Sequence, residues 1–205
     1  CQRTRGINRL RWHLHELDAS WDPRARSLKS INNLDEVADR LGTFDAMVAR
    51  IAAEIVAHVR DLTVRERALE REITARVASL APTLLSVTGV GALTAAKIVG
   101  ETADVRRFKS QDAYARHNGT APLPVWSSNQ ERHRLSRTGN RQLNAAIHRI
   151  AITQTRSHPD AIAYLDRRAS MHNTPTEARR ALKRRLSNIV YRALLADATP
   201  TEACI

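Results

Sequence analysis

The chain has 205 residues, enough for one or two domains with a core of moderate size. Its 33 lysines and arginines outnumber 21 aspartates and glutamates, and the resulting net charge of +12 predicts a polyanionic partner, since neutralised phosphates release condensed counterions. No apolar run approaches the roughly 18 residues that span a bilayer, so we expect no membrane partner and a soluble, cytoplasmic protein that binds nucleic acid.

Residues 1–42 are expected to hold one helix followed by a linker. Four apolar residues recur at spacings of three and four, the stripe of an amphipathic helix: Ile7, Leu10, Leu14 and Leu17. The sequence Ser-Trp-Asp-Pro at residues 20–23 ends that pattern.

A second helical pattern covers residues 43–81 and predicts a long arm. Neither glycine nor proline interrupts it, and its apolar positions recur mostly every three or four residues: Phe44, Val48, Ile51, Ile55, Val59, Leu62, Leu69, Ile73, Val77 and Leu80. A helix of about 35 residues would extend ~50 Å, too long to bury against one small domain. We therefore predict a coiled-coil-like arm that joins protomers into a dimer or tetramer. A long helix packed within its own chain is the alternative.

The stretch LLSVTGVGALTAAKIVGE, residues 84–101, predicts two short apolar helices joined by a turn at Gly89 and Gly91. Glycine permits positive φ and a close approach of two backbones. The N–H groups that begin the second helix favour a phosphate, and we expect Thr94 and Lys97 to be exposed on that helix. The pattern is typical of a helix-hairpin-helix, which grips a nucleic-acid backbone. An ordinary glycine cap between two packed helices is the alternative.

Basic residues dominate from Arg106 to Arg149, where only two carboxylates oppose them. In their midst, residues 118–143 are expected to form a loop rich in Pro, Ser, Asn and Gly, and this loop contains Ser127 and Ser128. A serine hydroxyl among guanidinium groups suits attack on a phosphodiester, because the arginines neutralise charge on the phosphoryl oxygens. Most loop serines, however, are solvated turn residues. The expected phosphate contacts are Arg116, Arg132, Arg134, Arg137 and Arg141.

The block NTPTEARRALKRRLSNIVYRALLAD predicts a C-terminal helix with a strong start signal. Thr174 is the expected N-cap, Pro175 occupies the first helical position, and Glu177 completes a capping box. Five basic residues form a ridge on this helix: Arg179, Arg180, Lys183, Arg184 and Arg192. The ridge either contacts a nucleic-acid backbone or is a solvated face.

Three stretches together resemble a known family. LLSVTGVGALTAAKIVGE, RRFKSQDAYARHNGTAPLPVWSS and RLSRTGNRQLNAAIHRIA follow the order and spacing of the C-terminal domain of the insertion-sequence 110, 116 and 902 family of transposases, relatives of the pilin-gene invertase. The resemblance covers residues from about Leu80 to Leu195. RTRGINRLRWHLHELD is similar to the tail of that family's upstream domain.

The resemblance implies DNA recombination through a covalent phosphoserine link. By position Ser127 matches the family serine, while Ser128 stands where the family usually has glycine and is the second candidate nucleophile. Family members carry an RNase H-like domain with an Asp-Glu-Asp-Asp set that binds Mg²⁺, and several are guided by a structured RNA. That acidic set is missing from these 205 residues. We therefore expect the C-terminal half of a transposase, which needs no cofactor of its own and binds DNA but does not cut alone.

The predicted fold is all-α: a helix and linker over residues 1–42, the coiled-coil-like arm over 43–81, and a compact helical domain with the helix-hairpin-helix over 82–205. No metal site is expected, because Cys1 and Cys204 lie at opposite ends and the eight histidines are scattered. We predict an insertion-sequence transposase. The alternative is a non-catalytic nucleic-acid-binding module or an inactive transposase remnant.

Overall fold

The structure is a computed structural model that describes residues 2–127, 130–135 and 138–199, with the backbone alone for those between 124 and 137. It divides into two compact units, Cys1–Glu72 and Ile73–Ile205. The described residues are mostly helical, and the sheet among them is a single two-stranded hairpin, which confirms the all-α class. None of the helices in these ranges combines the length and the apolar character that crossing a membrane requires.

The first unit is built from α1 (Gln2–Leu17), α2 (Ile31–Leu41) and most of α3 (Met47–Leu80). The apolar stripe of α1 is buried as its spacing predicts. Helix α2 lies within the segment that was expected to be a linker, and it forms because Leu34, Val37 and Leu41 give it a buried face. The core of this unit consists mainly of Ile7, Leu10, Leu14, Leu28, Leu34, Val37, Leu41, Ala49, Ala52, Val56 and Val59.

Helix α3 is a single uninterrupted helix of 34 residues, which confirms the predicted long helix. Its first half buries Ala52 and Val59 in the core of the first unit, and Val77 near its end belongs to the core of the second. Residues 64–72 between them are all exposed, including Val64 at 44% and Leu69 at 58%. Whether this segment pairs with another copy stays a prediction.

The second unit contains six further helices within the described residues. They are α4 (Pro82–Leu85), α5 (Ala92–Thr102), α6 (Gln111–His117), α7 (Arg141–Ser157), α8 (Pro159–Ser170) and α9 (Pro175–Ala198). Helix α9 contacts α4, α6, α7 and α8, and α5 packs on α7. The predicted capping box is present at the start of α9. The Thr174 hydroxyl accepts from Glu177 N, and the Glu177 carboxylate accepts from Thr174 N. At the other end of α9, the Asp197 carboxylate accepts bonds from Thr83 N at 2.8 Å and Leu84 N at 3.0 Å.

A β-hairpin replaces the central part of the predicted loop. Strands β1 (Pro122–Ser127) and β2 (Gln130–Leu135) pair antiparallel, from Pro122 opposite Leu135 to Ser127 opposite Gln130. The two prolines of β1 concealed this strand in the sequence. They are tolerated because both strands of a two-stranded ribbon are edges, where a missing N–H donor need not break a ladder.

Candidate nucleic-acid interface

The glycine turn between α4 and α5 packs on α7. Gly89 adopts φ +87°, and a Cβ atom built there would lie 3.2 Å from Thr153 Cβ and 3.3 Å from Ile150 O. Next to it, Gln154 Nε2 donates to Thr88 O at 2.7 Å. Glycine is therefore required at position 89 for two reasons, the positive φ and the close contact with α7.

Gly91 has a different role. Its backbone is extended, a Cβ atom there would meet nothing within 4 Å, and it begins α5 without a side-chain cap. Thr94 and Lys97 are partly buried, not exposed as the sequence predicted, since α5 packs on α7 and Thr94 lies one turn before the fully buried Ile98. The first helix of the motif, α4, has only four residues. That this turn grips a nucleic acid stays a prediction.

Basic side chains of α7 and α9 form a shared surface. Arg141 and His148 are exposed on α7, two turns apart, while Arg180 is exposed and Arg179 half-buried on α9. Lys183 links the two helices, because its Nζ donates to Asn144 Oδ1 at 2.5 Å. We call Arg141, His148, Arg179, Arg180 and Lys183 the α7–α9 basic face.

The electrostatics of this face are unfavourable in the free chain. Lys183 is only 9% exposed, and burial together with the neighbouring Arg180 lowers the pKa of its ammonium. Partial desolvation, followed by the charges of Lys183 and Arg179, lowers the pKa of the otherwise exposed His148. Within the described residues no carboxylate forms an ion pair with Arg179, Arg180 or Lys183. Like charges that form no ion pair with a carboxylate suit an anionic ligand, whose phosphates would relieve the repulsion.

Arg184, the fourth residue of the predicted ridge, is placed differently. Its guanidinium bonds the Asp112 carboxylate on α6 and the Asn188 side chain on α9. The side chain is 23% exposed, so Arg184 joins two helices of the unit. Arg116 is exposed near the end of α6.

The first serine candidate, Ser127, lies at the far end of the hairpin. Ser127 is the last residue of β1, and its backbone pairs with Gln130. On β2, Arg132 pairs with Val125 and Arg134 with Leu123. Five steps of about 3.3 Å place Ser127 roughly 17 Å along the strand from Pro122.

Two of the predicted site residues, Ser128 and Arg137, lie outside the described residues. For Ser127, Arg132 and Arg134 the structure gives backbone positions alone. The roles predicted for these five residues therefore stay predictions. Among the described residues, no three His, Cys, Asp or Glu side chains gather as a metal-binding group.

A polar junction at the base of the hairpin was not predicted from the sequence. Asn118 precedes the hairpin and Asn140 follows it, each beside a glycine, at positions 119 and 139. The side chain of Asn118 forms a hydrogen bond with α9, and that of Asn140 forms one with α5. His117 lies at the same junction, where burial and then the Arg107 charge lower its pKa, opposed by Glu101. The Asn-Gly and Gly-Asn pairs on either side of the hairpin were the available signal, but in a sequence they are typical of any turn.

The central part of the chain is similar to a known family of proteins. Residues 81–166 match the model of the transposase IS116/IS110/IS902 family. The matched range begins where α3 ends and includes the glycine turn, the hairpin, α7 and most of α8. This part of the chain is thus similar to a domain found in insertion-element transposases.

Two relatives are similar over most of the chain. One is the insertion element IS110 uncharacterized 43.6 kDa protein of Streptomyces coelicolor, 32% identical over 173 residues, a match that covers 81% of this chain and 41% of that protein. The other is the insertion element IS900 uncharacterized 42 kDa protein of Mycobacterium paratuberculosis, 27% identical over 175 residues, covering 84% of this chain and 43% of that protein. The chain therefore spans less than half the length of these relatives.

Proposed function

We propose that the chain is the serine-bearing part of an insertion-sequence transposase and that Ser127 attacks a DNA phosphodiester. The observation that carries this proposal is the family match over residues 81–166, which includes Ser127 and the arginines around it. The position of Ser127 at the far end of the hairpin supports it, because a nucleophile there can approach a duplex without bringing the helical body into collision with it.

The proposed step is a transesterification. Ser127 Oγ attacks phosphorus, one phosphorus–oxygen bond of the DNA breaks, and the leaving strand takes a proton as its hydroxyl end. The phosphate stays on the serine. A strand hydroxyl then attacks the phosphoserine, restores the serine and joins the DNA. Arg132, Arg134 and Arg137 would neutralise charge that builds on the phosphoryl oxygens during both steps. We expect Mg²⁺ chemistry to come from an acidic domain of the full-length protein.

DNA is held, in this proposal, by the α7–α9 basic face, by Arg116 and by the N–H groups that begin α5. The face offers five cationic or titratable side chains, and none of its described cations Arg179, Arg180 and Lys183 pairs with a carboxylate in the part of the chain that the structure describes. A structured guide RNA is a second polyanion that the same face would accept, and competition between the two is measurable.

Self-association through α3 completes the proposal. Leu69 is exposed in the middle of this helix and belongs to the apolar repeat of residues 43–81, which a second helix could cover. Light scattering after size-exclusion chromatography should show a dimer or larger assembly. Leu69→Glu should shift it toward the monomer, whereas Ala68→Glu, a neighbouring exposed site off the stripe, should not.

The decisive test of the chemistry is Ser127→Ala in the full-length transposase. Strand joining and the SDS-resistant protein–DNA adduct should both disappear, while DNA affinity stays within about twofold, because the change removes one hydroxyl and no charge. Ser128→Ala is the matched control and should keep both activities. If joining survives in Ser127→Ala and in the double variant, the serine proposal is wrong.

The alternative is a non-catalytic nucleic-acid binder, and adduct formation by the full-length protein separates it from the serine proposal. Both proposals predict that Arg179→Gln with Arg180→Gln weakens DNA binding and reduces the salt slope by about one for each phosphate that is no longer neutralised. Arg65→Gln is the charge-matched control, since Arg65 is paired with Asp61 on α3. Full-length protein that binds with this slope but forms no adduct under any condition would support the alternative.

A further inference from the structure

Beyond the serine itself, we infer that a polar clamp at the base of the hairpin fixes the direction in which the hairpin leaves the helices, with Asn118 as its central positioning residue. The hairpin clamp consists of Asn118, Gly119, Gly139, Asn140, Asn144 and Ser187. The significance of the clamp rests on the proposed role of Ser127, but its existence is measurable without any DNA chemistry.

The two legs of the hairpin meet at a pair of glycines. A Cβ atom built at Gly139 would lie 2.3 Å from Gly119 N, 2.4 Å from Gly119 Cα and 2.9 Å from Asn118 C. These are backbone atoms, which cannot swing aside as a flexible side chain would. Gly119 itself has φ +70°. Across the same junction, Asn140 N donates to His117 O at 2.7 Å. The legs are therefore closed directly on each other.

Asn118 ties the first leg to two helices. It is fully buried, and its Nδ2 donates to Ser187 Oγ on α9 at 2.8 Å. Its carbonyl oxygen accepts from Asn144 Nδ2 on α7 at 2.9 Å. Its side-chain oxygen accepts from Thr120 N at 3.1 Å and Thr120 Oγ1 at 2.6 Å, which directs the chain into β1. A buried amide with its groups satisfied in this way specifies a single arrangement.

Asn140 ties the second leg to two helices as well. Its Oδ1 caps α7 by accepting from Gln142 N at 2.9 Å and Leu143 N at 3.0 Å. Its Nδ2 donates to Glu101 Oε2 on α5 at 2.7 Å. Each leg is thus anchored at two points on different helices, and the anchors define a direction for the hairpin.

The length of the hairpin makes this direction important. With Ser127 about 17 Å along β1, a tilt of about 10° at the base would move its backbone by about 3 Å. A displacement of about 1 Å at a reacting group can already cost 10²-fold in rate. A serine at the end of such a hairpin reacts efficiently only if the hairpin does not tilt where it leaves the helices. The hairpin clamp prevents that tilt.

Distance measurement between spin labels tests the clamp in this 205-residue chain. Labels are placed at Gln130→Cys, at the far end of the hairpin, and at Arg167→Cys, exposed on α8, with Cys1 and Cys204 replaced by serine. We expect one narrow distance distribution. Gly139→Ala should shift or broaden it by several ångströms, because the new methyl group forces the legs apart. Gly100→Ala is the matched control, since a Cβ atom there meets nothing within 4 Å.

Asn118→Ala should broaden the distribution in the same way. Ser187→Ala is the milder second variant, and it should fold because it removes a single hydroxyl. Circular dichroism confirms that each labelled variant is helical. A broad distribution in the unsubstituted chain overturns the inference, as does a Gly139→Ala distribution that superimposes on it.

Kinetics in the full-length transposase then separate positioning from catalysis. Ser187→Ala and Gly139→Ala should lower the rate of adduct formation, by roughly 10²-fold for a shift of about 1 Å, with DNA affinity within about twofold. Ser127→Ala should abolish the adduct and leave the label distances unchanged. If Ser127 is not the nucleophile, the distance results still decide whether the clamp exists. Reduced DNA affinity with an unchanged adduct rate would contradict the positioning role.

Discussion

Replacing Gly89 by alanine should destabilise the second unit by about 2–3 kcal/mol. An alanine held at φ +87° costs about 1–2 kcal/mol relative to the ordinary helical or extended regions. Its Cβ atom would also lie 3.2 Å from Thr153 Cβ and 3.3 Å from Ile150 O, which is tighter than ordinary van der Waals contact. Moving α7 to relieve this overlap adds about 1 kcal/mol.

The assay is urea unfolding of the chain followed by far-ultraviolet circular dichroism. Gly100→Ala provides a control with the same chemical change and the opposite sign. Gly100 lies in α5 with open space around it, so alanine's higher helix propensity should stabilise by up to about 1 kcal/mol. The reasoning is refuted if Gly89→Ala unfolds within about 0.5 kcal/mol of the unsubstituted chain, near the limit of such measurements, or if both variants change stability in the same direction.

Two further predictions concern α9 and the basic face. Thr174→Ala removes the capping box with Glu177 and should cost about 1 kcal/mol in the same urea assay; an unchanged midpoint would contradict this. The pKa of His148 should lie below its ordinary 6.5 in the free chain and rise when an oligonucleotide neutralises Lys183 and Arg179. Ring-proton NMR titration measures both states. Because the depressed pKa means that the unfolded chain binds the proton more readily, stability should fall as pH drops below 6.5 through the folded-state pKa, and His148→Gln should flatten this slope.

The sequence by itself determined the features that depend on neighbours along the chain. Apolar spacing in α1 places Ile7, Leu10 and Leu14 on one face of the helix, and that face is buried. The start of α9 follows from Thr174, Pro175 and Glu177, because a capping box closes within four residues. The glycine turn was also predicted, because it depends only on residues that are close together in the sequence. The family resemblance rested on several such local motifs in a fixed order, and residues 81–166 match the model of that transposase family.

Tertiary structure alone decided the features that depend on distant partners. The hairpin was expected to be a loop, because its pairing joins residues 122–127 to residues 130–135 against the local tendency of proline. Lys183 was predicted as a surface cation, yet it is buried between helices and Asn144 on α7 accepts its hydrogen bond.

The same holds for the rest of the candidate site. Arg184 resembles its neighbours on the ridge but meets Asp112 from another helix. Asn118 bonds Ser187, 69 positions later in the chain. Hydrogen bonds and burial of this kind arise only when separate helices pack, so no periodicity or spacing within a segment can specify them.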